Sequence, residues 1–151
     1  MSPIPEHLLT GIPRIDREHQ ALVELIDGID GVCVIDNAAD CHGCILSVRD
    51  ECAGKLATLL ATLKEYMQAH FRYEERLMID WAVPQDHLAE HQAAHRLIEN
   101  RFHDLLDEYT YAKNSAATAR KVAAELREWL VDHLDNYDGQ LAVYVASEDR
   151  F

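Results

Sequence analysis

The sequence predicts an all-α protein, an antiparallel up-down-up-down four-helix bundle with an extended N-terminal arm. Three observations predict it. Apolar residues recur at alternating steps of three and four along four successive segments, which is the seam of helices packed at shallow angles. The six Gly and four Pro are few for 151 residues and mostly precede residue 55, so the rest of the chain is free to form long helices. The stretches between the segments are short, which makes consecutive helices antiparallel neighbours. The length suits one domain, divided into an arm at residues 1–13 and a bundle at residues 14–148.

Residues 1–13 carry three of the four Pro and read as the extended arm. The first helix starts near Ile15 or Asp16, with the stripe Ile15, His19, Leu22, Ile26, Ile29 and Cys33. A loop follows over Asp36 to Gly43. The second helix carries Cys52, Leu56, Leu60, Leu63, Met67, His70, Glu74, Leu77 and Trp81 on one line. Pro84 breaks it and suits the first turn of the third helix, where a missing N–H does no harm. The third stripe is Leu88, His91, His95, Ile98, Phe102, Leu105 and Tyr109. Lys113-Asn114-Ser115 makes a turn, and the fourth stripe is Val122, Leu126, Trp129, His133, Tyr137 and Leu141. This helix continues past Asp138 through Val143, Tyr144 and Val145, a continuation that suits a downstream signalling domain or a dimer partner.

Acidic residues number 27 against 14 basic ones, a formal net charge of −13. That excludes a nucleic-acid backbone or an anionic membrane as the main partner. No run approaches the roughly 18 apolar residues of a membrane helix. Met1-Ser2-Pro3-Ile4-Pro5-Glu6 has neither the basic nor the apolar stretch of a signal peptide, so the expected location is the cytoplasm.

The nine histidines direct the functional reading. His19, His70, His91, His95 and His133 all occupy seam positions that should be buried, and so does Glu74. Any one of them could be a core histidine satisfied by a local hydrogen bond, but five with a carboxylate, spread over four helices, need a shared partner. His70 and Glu74 are four apart, as are His91 and His95, so each pair faces one way from one helix. His95 and His133 are equidistant from the turn at Asn114 and should lie side by side. Five imidazoles with carboxylates exceed the needs of one ion with an open position. They suit two borderline divalent ions, iron first, with zinc or manganese as alternatives. His7, His42 and His103 fall off the seam and should be exposed.

On these residues the chain resembles the hemerythrins, specifically the bacterial ones. The matching stretches are Gly11-Ile12-Pro13-Arg14-Ile15-Asp16-Arg17-Glu18-His19, His70-Phe71-Arg72-Tyr73-Glu74-Glu75, His91-Gln92-Ala93-Ala94-His95, and Trp129-Leu130-Val131-Asp132-His133 with Asp138 beyond. The resemblance covers roughly residues 8–141. It implies an oxo- or hydroxo-bridged di-iron site, free of haem, that binds O2 reversibly. His91, His95 and His133 would hold one iron, His19 and His70 the other, and Glu74 and Asp138 would bridge them. Leu22, Phe71, Trp129 and Leu130 would wall the O2 pocket, a role compatible with plain core packing. The interval from Glu74 to His91 is longer than in the family, and His87 would make it shorter. The seam selects His91 and His95 and leaves His87 at the surface near the helix start.

His133 and Asp138 are five apart, which on a regular α-helix rotates the second side chain about 140° from the first. For both to reach one metal pair, the helix must widen between His133 and Gln140, and Gly139 would ease that distortion. Cys33, Cys41, Cys44 and Cys52 are symmetric about the first hairpin. They read first as reduced thiols, two of them buried as small apolar residues, then as a redox pair, and then as a zinc site of four thiolates or of three with His42. The function expected is that of an O2 carrier, store or sensor rather than an enzyme. The alternatives are a di-iron oxidase or peroxidase, and an iron- or redox-sensing module that uses the cysteines.

Overall fold

The structure, a computed structural model, describes residues 3–32, 46–111 and 115–147. Helix α1 spans Pro13–Asp30, α2 Leu46–Asp80, α3 Gln85–Thr110 and α4 Ser115–His133. A π-helical turn, Leu134–Asp138, joins α4 to α5, Gly139–Ser147. No strand occurs among the described residues. The expected loop at Asp36–Gly43 and the turn at Lys113-Asn114 lie outside them. No described helix is long and apolar enough to cross a membrane.

The arm is not extended throughout. Ile4, Leu8 and Ile12 are buried, a 3-10 turn forms at Glu6–Leu8, and the Ile4 N–H donates to Gln20 Oε1 at 3.1 Å. Apolar side chains at every fourth position draw this segment back onto the bundle. Helix α1 starts two residues before Ile15 because Pro13 supplies a helical φ in the first turn, while Asp16 ties down the segment that leads into it. The Asp16 carboxylate accepts from the Thr10 N–H at 2.8 Å, the Thr10 hydroxyl at 2.7 Å and the Gly11 N–H at 3.0 Å. The chain can turn into α1 here because Gly11 sits at φ +81, where a side chain would be strained. Between α2 and α3 the turn places Ala82 at φ +50, a conformation that costs an L-residue about 1–2 kcal/mol. It returns the Trp81, Ala82 and Val83 N–H groups to carbonyls of the last turn of α2.

Helix α1 packs beside α2 and α4, and α3 packs beside the same two, so the four form a closed ring in chain order. Their inward faces build two apolar clusters. The larger runs from Leu22, Ile26 and Ile29 through Leu56, Leu60, Leu63, Ile98, Phe102, Leu105, Val122 and Leu126. The smaller joins Ile12, Ile15, Met78, Val83, Leu141 and Val145. Between them lies a layer of buried polar side chains. At the surface Arg101 grips Glu125 across α3 and α4 at 2.7 Å, and Arg127 reaches Asp27 and Asp30 at 2.9 and 2.7 Å. Such exposed pairs add at most about 1 kcal/mol each.

Candidate metal centre

Every helix of the ring contributes to the polar layer. His19 follows Ile15 by one turn on α1, His70 and Glu74 share a face of α2, His91 and His95 share a face of α3, and His133 closes α4. All six are buried, and so is Asp138 at the end of the π-turn. That turn inserts one residue into the helix, so the line running through His133 continues at Asp138 rather than Tyr137. The widening expected from the five-residue spacing is therefore present. Gly139 is not its cause: its φ is an ordinary helical −60, and a Cβ there would meet Leu134 O at 3.4 Å.

Each carboxylate faces both histidine sets. Glu74 Oε1 lies 2.9 Å from His70 Nε2 and 3.3 Å from His19 Nε2. Its Oε2 lies 3.2 Å from His95 Nε2 and 3.3 Å from His91 Nε2. Asp138 Oδ2 lies 2.9 Å from His19 Nε2, while Oδ1 lies 2.8 Å from His91 Nε2 and 3.2 Å from His133 Nε2. His95 and His133 lie side by side, with ring centroids 5.0 Å apart.

These contacts do not form a satisfied hydrogen-bond network. Glu74 Oε2, both oxygens of Asp138 and His95 Nε2 are buried and have no hydrogen-bond partner of acceptable geometry. His91 Nε2 and His133 Nε2 approach to 3.2 Å, a contact that one ring can satisfy by carrying the shared proton, or that a cation can replace. In an interior such orphans are costly unless something positive sits among them. Two overlapping groups, Glu74–His91–His95–His133 and His19–His70–Glu74–Asp138, each keep their donor atoms within 4.8 Å of one another. Donors sharing one ion at about 2.1 Å lie about 3–4 Å apart. The residues therefore fit metal ions of the kind that imidazole and carboxylate bind.

The charges point the same way. Burial alone would raise the Glu74 carboxyl, but the His70 charge and contacts from His19, His70 and His91 hold it well below the usual carboxylate range. Burial and the Glu74 charge both push Asp138 up, yet His133 and His19 hold it well below that range too. Burial opposes protonation of His70, but Glu74 and Glu18 push it up to about 10. For His91, contacts with Asp138 and Glu74 overcome burial and push it up to about 9. The same two carboxylates raise His19 against burial. At His95 burial wins and pushes it down to about 4, Glu74 opposing only in part. Without metal, the layer is thus two carboxylates matched by protons on particular imidazoles, and metal binding must displace those protons.

Outer contacts hold the rings. The His70 Nδ1–H donates to Glu18 Oε1 at 2.8 Å, and Arg14 holds Glu18 at 3.1 Å while its guanidinium lies 3.7 Å above the Tyr73 ring. His95 stacks on Phe71 with centroids 4.0 Å apart, and His133 stacks on Trp129 at 4.8 Å. Leu22, Trp129 and Leu130, with Ile26, Leu63, Met67 and Leu126, line a cavity of about 10 Å³. Phe71 is not among the residues that line it, but stacks on His95 and meets Trp129 edge-on.

The expectation for His87 is corrected. It is buried, 4% exposed, not at the surface: its Nε2 lies 3.0 Å from His91 Nδ1 and its Nδ1 lies 3.3 Å from Gln140 Oε1. The ladder of four-residue steps continues one turn beyond the two ligands, and that turn is still covered by α5, whose Tyr144 ring sits 5.1 Å away. Glu18 also escaped the seam, since it lies one residue before His19 and points to the flank. His7 and His103 are exposed as expected. Cys52 is partly buried on α2, while Cys33, Cys41, Cys44 and His42 lie outside the described residues.

The model of the hemerythrin HHE cation-binding domain matches residues 10–144 of the chain. No curated protein matches it closely enough to count as a relative.

Proposed function

The chain belongs to the hemerythrin family, and from that premise we propose that it binds O2 reversibly at a pair of iron ions, as a carrier, store or sensor. The observation that carries the reading is the division of each carboxylate: one oxygen of Glu74 and one of Asp138 face His19 or His70, and the other faces two of the remaining three histidines, His91 and His95 for Glu74, His91 and His133 for Asp138. Such a division would let Glu74 and Asp138 each serve two ions. His91, His95 and His133 would hold one iron and His19 and His70 the other. The second set has one imidazole fewer, which leaves its ion room for a ligand. A ferrous pair would supply the two electrons by which O2 is held and later released.

The protein's own groups suit a small, uncharged ligand. The cavity near the centre is lined by apolar side chains and the Trp129 ring, and its volume of about 10 Å³ is close to the room one water takes. Phe71, stacked on His95, covers the donor layer on that side. Glu18 fixes the His70 tautomer, so that Nε2 is free to face Glu74 and a metal. Nothing in this wall is built to position an organic substrate, which favours binding over oxidase or peroxidase chemistry.

The test is iron quantitation with optical spectroscopy of the reduced protein under O2. Two irons per chain, with a visible charge-transfer band that appears under O2, vanishes when O2 is removed and comes without a haem Soret band, would bear the proposal out. One metal per chain, or irreversible oxidation on first exposure to O2, would overturn it.

A further inference from the structure

We propose that His87 is the positioning residue for His91, fixing its tautomer through a directed chain that ends on Gln140. The inference rests on the metal-binding reading above and extends it to a residue outside the donor layer. His91 Nε2 points inward, 2.8 Å from Asp138 Oδ1 and 3.3 Å from Glu74 Oε2. To bind a metal through that nitrogen, the ring must carry its proton on Nδ1. Nδ1 meets His87 Nε2 at 3.0 Å, so His87 has to accept there and carry its own proton on Nδ1. That proton in turn meets an acceptor, Gln140 Oε1, at 3.3 Å. Every donor in the series finds an acceptor, and only one arrangement of protons satisfies all three residues.

The geometry leaves His87 little choice. Its ring is edge-on to His91, with planes at 89°, and edge-on to Tyr144, so it is clamped between α3 and α5. Gln140 lies just beyond the π-turn, and the one inserted residue that brings Asp138 to the centre also sets the phase at which Gln140 meets His87. The two histidine sets are thereby oriented by different chemistry. His70 is held by a carboxylate, Glu18, whereas His91 is held by a neutral imidazole. Outer contacts of this kind commonly carry about 10–100-fold in metal affinity.

The test uses zinc, which is diamagnetic, on the whole chain. In the zinc-loaded protein, nitrogen NMR of the imidazoles should place protons on His91 Nδ1 and His87 Nδ1. It should also show a scalar coupling across the hydrogen bond between His91 Nδ1 and His87 Nε2. His87→Leu removes the acceptor at similar bulk, and zinc affinity at the three-histidine set should fall about 10–100-fold while the His19–His70 set keeps its own. His87→Gln, which can still present an oxygen to His91 Nδ1, should recover most of the loss, as a purely space-filling role would not. Wild-type zinc affinity in His87→Leu, or a His87 ring protonated on Nε2 in the loaded protein, would overturn the inference while leaving the metal site standing. Failure of the wild-type chain to bind zinc or iron at all would overturn both.

Discussion

Loading the centre with metal should release protons, and the structure identifies the groups that lose them and the pH range. In the metal-free fold His70 is pushed up to about 10 and His91 to about 9, one in each histidine set. His19 is raised as well, while His95, pushed down to about 4, is already neutral. Glu74 and Asp138 are already ionised. Each ion must therefore displace at least one imidazole proton near pH 7.5. Its association constant should rise at least about tenfold per pH unit, or 1.36 kcal/mol, until the pH passes about 9 for the three-histidine set and about 10 for the other. On the metal-free fold the same protons act with the opposite sign. A group raised from 6.5 stabilises the fold fully below that value and ceases to as pH climbs through its folded value, so stability falls above pH 6.5. His95, lowered in the fold, stabilises above 6.5 and loses that contribution as pH falls toward 4, and the depressed carboxylates act in the same direction. Metal-free protein should thus be most stable near pH 6.5 and lose melting temperature up to pH 9, over the range in which zinc binding tightens. Calorimetric zinc titrations in buffers of differing ionisation heat read the protons directly. Zinc binding with no proton release at pH 7.5, or an affinity flat between pH 6.5 and 8, would refute the charge assignment.

Three further outcomes are expected. His19→Ala should cut metal content from two ions toward one, because it strips the set that has only two histidines; metal analysis showing two firmly held ions would contradict the division of the site. Phe71→Ala should cost about 3–5 kcal/mol in urea unfolding, since the ring is 1% exposed and stacks on His95, and a loss under about 1 kcal/mol would mean the stack bears little of the packing. Gly139→Ala should change stability by no more than about 1 kcal/mol and leave metal content intact, as φ is helical and the new Cβ meets only an ordinary contact. A collapse of the fold in that variant would mean the π-turn needs its glycine after all.

Much of this architecture is legible from periodicity. The four seams are unbroken in the sequence, and histidines inside an apolar stripe stand out because solvent-facing positions would not be spaced that way. The five-residue step from His133 to Asp138 conflicts with a regular helix, and the conflict itself locates the π-turn. The residues that orient the ligands are harder to see. Glu18 sits one position round α1 from His19, on a flank where a carboxylate is unremarkable, and nothing local says that it meets His70 on α2. His87 did leave a signal, the ladder His87–His91–His95, but a choice between two ligand pairs hid the reading in which all three face inward with different partners. Burial at His87 comes from α5, and periodicity within α3 carries no information on how far α5 covers it. The back-folded arm was obscured by its prolines, which suggest extension although Ile4, Leu8 and Ile12 are spaced for a common face.

The polar layer also divides the interior into unequal parts, and this bears on how the chain acquires its shape. The larger cluster draws on all four long helices and holds most of the buried apolar side chains. The smaller one gathers six residues from the start of α1, the hairpin at Val83 and the far side of α5, segments at opposite ends of the sequence. It can close only after long loops have been brought together, with few apolar side chains to offset that entropy. It must also close over a stratum whose charges have first found their counterparts. With so few apolar side chains, the end of the bundle near α5 is expected to open before the rest, and a cation bound in the layer would tie the two halves into one cooperative unit.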